Sequence, residues 1–299
     1  MRQPPFSGTG VALVTPFKEN KAIDYLALEK LIEHVIGGGV DFIVSLGTTG
    51  EAITLSSKEC REILDFTIKK VNGRLPVVAG LFGSNYTEKL ANTLREYNFD
   101  GIDAIMSSSP AYSKPSQEGI YQHYMAIQEA SPVPIIIYNV PGRTSSNVTA
   151  ATTLRLAQAS EKFIAVKEAS GDLAQAMKIL KYKPEHFQVW SGDDPLSLAM
   201  IACGATGVVS VIANAFPEQF SGMVKAAMDG DLETARQLNS LLLDIHPWLY
   251  VDGNPSGIKA AMEILGLCRQ DVRIPLTPVT EATYQKLKKE LEKTGSLTG

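Results

Sequence analysis

Lys167 closes a short apolar run, Phe163-Ile164-Ala165-Val166, and is followed at once by Glu168-Ala169-Ser170-Gly171-Asp172. A lysine at the end of a buried strand, where the chain turns toward a helix, puts an amine where water is scarce. Desolvation disfavours an ammonium, and a neutral amine is a nucleophile toward carbonyls. The bland alternative is a rim lysine that reaches water or pairs with Glu168. Two other segments weigh against that alternative. In Ile135-Ile136-Ile137-Tyr138-Asn139-Val140-Pro141-Gly142-Arg143-Thr144 an apolar run ends in a tyrosine and the next turn carries an arginine. In Val44-Ser45-Leu46-Gly47-Thr48-Thr49-Gly50-Glu51 a second run leads into two threonines flanked by glycines. A strand-end tyrosine can hydrogen-bond locally, and Gly-Thr-Thr-Gly can be an ordinary turn. Yet three strand ends each deliver a reactive or substrate-holding group: an amine, a phenol, and hydroxyls beside free backbone N–H.

Positioning such groups on one rim is a task for a particular architecture. The sequence alternates short β-rich runs with amphipathic stretches. Strands are expected at Gly10–Val14, Phe42–Leu46, Val77–Gly80, Ala104–Ser107, Ile135–Tyr138, Ile164–Lys167, Gln188–Ser191 and Gly207–Val211. Helical patterns between them include Tyr25–Ile36, Lys58–Val71, Glu118–Glu129 and Leu173–Leu180. Continuously apolar strands separated by helices predict a parallel sheet buried on both faces. Eight such units in a row predict an α/β fold closed into a (β/α)8 TIM barrel. A doubly wound open sheet would call for a glycine fingerprint after the first strand, and Thr15-Pro16-Phe17 is not one. Helical patterns at Pro217–Met228, Leu232–Tyr250, Pro255–Leu265 and Glu281–Glu292 exceed what closure needs. The expected organisation is therefore a barrel over residues 1–230 and a C-terminal helical extension over 231–299. Gly37-Gly38-Gly39 follows a helix and precedes a strand, so it reads as a C-cap rather than a phosphate cradle.

In such a barrel functional groups sit at the C-terminal ends of the strands. Thr48 and Thr49 follow strand two, Tyr112 lies in the loop after strand four, Tyr138 ends strand five and Lys167 ends strand six. The loops after strands seven and eight, Ser191-Gly192-Asp193-Asp194 and Ile212-Ala213-Asn214-Ala215-Phe216, lack a glycine-rich phosphate cradle.

Bulk properties narrow the function classes. The chain has 299 residues, 44% hydrophobic and 20% charged, with a formal net charge of −4; this is a globular balance with a sizeable core. No basic stripe points to nucleic acid and no polybasic amphipathic segment or apolar span points to a membrane. Met1–Gly8 has no signal-peptide core. Cys60, Cys203 and Cys268 form neither a disulfide framework nor a metal motif, which suits a reducing cytoplasm. His34, His123, His186 and His246 are equally dispersed, so no metal site is expected. Asp193-Asp194-Pro195 reads as a turn and helix N-cap rather than a magnesium site, and Thr149 of the Asn147-Val148-Thr149 sequon as a helix start.

Taken together, these motifs resemble the dihydrodipicolinate synthase and N-acetylneuraminate lyase family of pyruvate-dependent class I aldolases. The likeness spans nearly the whole chain and includes Gly47–Glu51, Pro115-Ser116-Gln117-Glu118-Gly119, Tyr138–Thr144, Val166-Lys167-Glu168, Ser191–Asp194 and Gly207–Val211. Arg143 and the paired threonines point to the synthase branch. The resemblance implies condensation of pyruvate with L-aspartate 4-semialdehyde, toward diaminopimelate and lysine, with no cofactor. The rival within the family is an N-acetylneuraminate or 2-keto-3-deoxy sugar-acid lyase, and from another class a catalytically silent keto-acid-binding barrel. By the same resemblance Lys167 forms an imine with pyruvate, and Tyr138, Thr48 and Tyr112 form a hydroxyl relay. Thr49 and adjacent N–H groups hold the pyruvate carboxylate, Arg143 holds the carboxylate of the semialdehyde, and Gly192 and Val209 line the nucleophile's pocket. Tyr112 is expected to enter a neighbouring subunit's site within a homodimer, paired into a tetramer. Lysine-regulated relatives carry polar groups where this chain has Ala111, Ala52, Ser57 and Cys60, with only Asn85 and Glu88 as remaining candidates; this implies weak or absent inhibition by L-lysine. The Gly80-Leu81-Phe82-Gly83-Ser84-Asn85 loop is also bulkier than the family's usual small-residue segment.

Overall fold

Successive residues of a strand face opposite sides, so a run apolar throughout must be covered on both faces. The computed structural model, which describes residues 6–295, meets that demand by closing a barrel. Residues 1–5 and 296–299, and with them most of the expectation for the first eight residues and the end of the extension, lie outside the described residues. Among the described residues, eight parallel strands follow one another around the barrel in chain order: β1 (Gly8–Ala12), β2 (Phe42–Ser45), β3 (Val77–Ala79), β4 (Ala104–Ser108), β5 (Ile135–Asn139), β6 (Phe163–Glu168), β7 (Gln188–Ser191) and β8 (Gly207–Ser210). β8 pairs back onto β1 through Gly8↔Gly207 to Val11↔Ser210. β1 begins and ends two residues earlier than its hydropathy suggests, because the Val14 amide is taken by the Asn214 side chain (3.1 Å) rather than by a strand.

Alternation along the strands builds two cores. Ile135, Ile137, Phe163 and Val166 face the helices, whereas Ile136, Tyr138 and Ala165 face the lumen. The lower lumen is plugged by Phe6, Phe42 and Trp190, with Phe42 and Trp190 ring centroids 5.0 Å apart. Gly10 is required there, since a Cβ on it would come within 2.2 Å of the Phe42 ring. The lumen is thus open only toward the C-terminal ends of the strands, the end that carries the reactive groups.

The outer helices start and stop on ordinary signals. Ser57–Val71 begins with a capping box between Ser56 and Glu59, and Thr149 caps Ala150–Ala159 by accepting from the Thr152 amide. Tyr25–Gly37 ends in the glycine triplet, with Gly39 at φ +82. The bulky Leu81-Phe82 loop is absorbed in part by the core, where Phe82 packs against Tyr97 and Phe99.

Beyond the barrel helix Pro217–Met228, the pattern read as one helix over Leu232–Tyr250 is interrupted. It forms a helix at Leu232–Leu243 and a separate 3-10 turn at His246–Leu249. Pro247 is the reason: it has no amide to donate, and its ring would collide with the carbonyl four residues back. Helices Ser256–Ile264 and Glu281–Lys293 complete the extension. Among the described residues no helix is long and apolar enough to cross a membrane.

Candidate active site

β5 and β6 are neighbours in register, with Tyr138 opposite Lys167. Both point into the lumen at its open end and both are buried, with 8% and 5% of their surface exposed. The Lys167 amine lies 4.3 Å from the centroid of the Tyr138 ring. The next residue, Glu168, faces the opposite side by strand alternation. There its carboxylate accepts from Asn139 Nδ2 (3.0 and 3.1 Å), the Ser170 amide (2.8 Å) and Gln175 Nε2 (3.0 Å). Pairing between Lys167 and Glu168, the bland alternative, is therefore absent. Gly192 follows β7 and touches the nucleophile's stem: a Cβ there would sit 3.0 Å from Lys167 Cε and Cγ and 2.7 Å from Ala169. Any larger residue would push the lysine from its place.

The threonine pair sits on the turn after β2, where Gly50 N donates to Gly47 O and Glu51 N to Thr48 O, each at 3.1 Å. Thr48 is half-buried and Thr49 is buried. Asn254 Nδ2 donates to Thr49 Oγ1 at 3.1 Å, so the Thr49 hydroxyl hydrogen is left to donate elsewhere. Thr48, Thr49, Tyr138, Arg143, Lys167 and Gly192 all line one cavity of about 730 Å³. Arg143 follows β5 on a short helical turn, Pro141–Thr144, and is exposed at the cavity mouth. No acidic side chain among the described residues pairs with its guanidinium.

Two expected residues stand apart. Val209 is buried in the lumen with Trp190, below the cavity, and on that side Val211 lines the cavity instead. Tyr112 is 92% exposed, has a left-handed backbone (φ +66), and lies off the cavity of its own chain. Behind Tyr138, a second cavity of about 620 Å³ shares Thr48, Tyr138 and Arg143 with the first and is also lined by Ala52, Asn85 and Ala111. Ser57, Cys60 and Glu88 do not line it.

Sequence reasoning missed the fourth wall of the site. Leu243, Asp244, His246, Pro247, Tyr250 and Asn254 of the extension line the larger cavity. The helix break at Pro247 brings them there, and hydropathy alone carries no signal of where a broken helix folds back. The N-cap expectation for Asp193-Asp194 is also corrected. Neither side chain caps the 3-10 turn Asp194–Leu196; Asp194 Oδ2 accepts from the Val211 (2.9 Å) and Ile212 (2.8 Å) amides and ties the β7 loop to the end of β8. Burial lowers the proton affinity of His246, with Asp194 opposing, and burial followed by Asp194 raises the pKa of Asp193. Among the described residues no group of three or more His, Cys, Asp or Glu side chains could hold a metal ion.

The chain as a whole is similar to proteins of known kind. The model of the Dihydrodipicolinate synthetase family matches residues 5–294. A 4-hydroxy-tetrahydrodipicolinate synthase of Parabacteroides distasonis is 48% identical, with 95% of each chain covered. A dihydrodipicolinate synthase structure from Aquifex aeolicus superposes with a TM-score of 0.92 at 38% identity, over 97% of this chain and 98% of that one. A second structure, described as the first monomeric dihydrodipicolinate synthase variant, gives a TM-score of 0.94 at 34% identity over 98% of both chains. With fold and near-complete sequence coverage in agreement, the chain belongs to the dihydrodipicolinate synthetase family.

Proposed function

We propose that this chain carries out the 4-hydroxy-tetrahydrodipicolinate synthase reaction, the Schiff-base condensation of pyruvate with L-aspartate 4-semialdehyde in the diaminopimelate and lysine pathway. The observation that carries the reading is Lys167: a buried amine that lines the cavity, 4.3 Å from the Tyr138 ring and free of any carboxylate partner. Its amine adds to the keto carbon of pyruvate, and loss of water leaves an imine. The protonated imine draws electrons from the adjacent methyl group, which gives up a proton to become an enamine. The enamine carbon then attacks the aldehyde of the second substrate. Tyr138 moves protons in these steps, a contribution on the order of 10²–10⁴-fold. Thr48 and Tyr112 extend the relay. Thr49, whose hydroxyl already accepts from Asn254, donates with neighbouring amides to the pyruvate carboxylate. Arg143 offers a planar fork to the carboxylate of the semialdehyde, a geometry lysine lacks. Gly192 leaves room for the lysine stem, and Val209 supports the floor beneath it.

Assembly is part of the proposal. An exposed Tyr112 that lines neither cavity of its own chain supports a relay completed by a neighbouring copy, in a dimer that pairs into a homotetramer. We divide the chain at residues 230 and 231, barrel from helical extension, and place the protein in the cytoplasm, where its unpaired cysteines stay reduced. The test is borohydride reduction in the presence of pyruvate, with the modified residue mapped by mass. A pyruvate adduct at Lys167 is expected; an adduct at another lysine, or none, overturns the imine mechanism. Semialdehyde consumption, set against pyruvate release from sugar acids, separates the synthase from the lyase.

A further inference from the structure

We propose that Lys259, in the helix Ser256–Ile264, is a positioning residue for pyruvate binding: through Glu51 it holds the Thr48-Thr49 turn in the shape that receives the carboxylate. The inference rests on the pyruvate-binding role given to that turn above.

Glu51 closes the turn with a left-handed backbone, φ +57. A residue with a side chain enters that region only at an energetic cost, so the surroundings must hold it there. Both oxygens of its carboxylate are taken by the C-terminal extension: Oε1 by Lys259 Nζ at 2.5 Å, and Oε2 by the Arg273 amide at 3.1 Å. Glu51 and Lys259 are 1% and 0% exposed. The Lys259 ammonium also donates to the Asp271 carbonyl at 2.9 Å and lies 4.2 Å from the Phe17 ring centroid. It lines neither cavity of the site and is fully buried. Its reach into the chemistry runs through the turn.

A second contact comes from the same segment. Asn254, five positions before Lys259, grips the Thr49 hydroxyl at 3.1 Å. The extension therefore fixes both the backbone of the turn and the hydroxyl it presents. Stability alone gives little reason for an ion pair here, because well-packed apolar residues in place of a buried pair are often neutral or stabilising. Geometry does give a reason: displacing a binding group by about 1 Å can reduce rate by about 10²-fold.

The experiment measures borohydride trapping of pyruvate at Lys167 as pyruvate is raised, alongside thermal midpoints. Lys21→Met is the control; it removes the 2.5 Å pair with Asp271 in the same extension and leaves Glu51 untouched. The parent and Lys21→Met should half-saturate at the same pyruvate concentration. Lys259→Met should need about tenfold more pyruvate or beyond. Because that variant leaves Glu51 buried and unpaired, Lys259→Met/Glu51→Gln is the second arm. With the charge removed it should regain its thermal midpoint yet keep the higher half-saturation, since a thioether cannot donate to the amide. Unchanged half-saturation in either folded variant makes the pair purely structural and overturns the proposal. A parent that traps no pyruvate overturns the functional reading itself, and this inference with it.

Discussion

Lys167 and Lys259 are both buried, 5% and 0% exposed, and each lies close to an aromatic ring, Tyr138 at 4.3 Å and Phe17 at 4.2 Å. Their partners differ. Lys259 faces Glu51 at 2.5 Å and the Asp271 carbonyl at 2.9 Å, so its charge is compensated and its donors are used. Burial pulls its pKa down while the Glu51 carboxylate opposes the shift. Lys167 has an open cavity before it, and the carboxylate next to it in sequence, Glu168, is turned away and saturated by Asn139, Ser170 and Gln175. Burial alone therefore does not set a lysine's surroundings. An unpaired amine facing a cavity has room for a substrate, whereas a paired amine is locked into the architecture.

Replacing each lysine should separate the two cases most sharply. Lys167→Met should remove pyruvate trapping and lower turnover by ~10³-fold or more, while unfolding in urea stays at or above the parental midpoint. Lys259→Met should do the reverse in stability: losing one partner of a buried ion pair costs about 3–5 kcal/mol, read as a drop in the urea midpoint. Equal losses of stability in the two variants would erase the distinction.

Arg143→Ala probes the open side of the cavity. It should raise the KM for the semialdehyde by about 10–100-fold, matching the 1.5–3 kcal/mol typical of a hydrogen bond to a charged group, and leave imine formation with pyruvate intact. An unchanged semialdehyde KM would remove Arg143 from substrate recognition.

On the ion-paired side, Arg273 hydrogen-bonds Glu59 at 2.6 and 3.0 Å and holds its carboxyl down from 4.5 to about 2. A depressed carboxylate contributes stability that is present above its unfolded value and lost as pH falls toward the folded one. Unfolding midpoints should therefore decline between about pH 4.5 and 2, and Arg273→Met should flatten part of that decline. The same acid slope in both proteins would assign the loss to other groups. The smallest effect expected is on regulation. With Ala52 and Ala111 on the second cavity, L-lysine up to millimolar concentration should leave the initial rate at saturating pyruvate nearly unchanged; strong sub-millimolar inhibition would show that this cavity still meets both charged ends of the amino acid.

Much of the barrel was legible because β-strand alternation and helical periodicity are local properties. Ile135–Tyr138 and Ile164–Lys167 had to be strands covered on both faces, and their ends had to carry Tyr138 and Lys167 toward the same rim. Caps and breakers were also local: Ser56 with Glu59, Thr149 and the Gly37–Gly39 triplet each act within a few residues. Pro247 is a local breaker too, but the amphipathic pattern over Leu232–Tyr250 runs on through it.

The sequence by itself determined the strand order, the shared rim of Tyr138 and Lys167, and the donor chemistry of the Gly47–Glu51 turn, because these follow from side-chain type and spacing along the chain. Tertiary structure alone decided which carboxylate meets which amine. Glu168 is adjacent to Lys167 yet faces the helices, while Glu51 and Lys259, 208 positions apart, meet at 2.5 Å. It also decided that the extension, through His246, Tyr250 and Asn254, walls the cavity, and that Tyr112 points away from it. The physical reason is that a charge buried by folding is compensated by whatever the fold brings within a few ångströms, and sequence separation places almost no limit on that encounter.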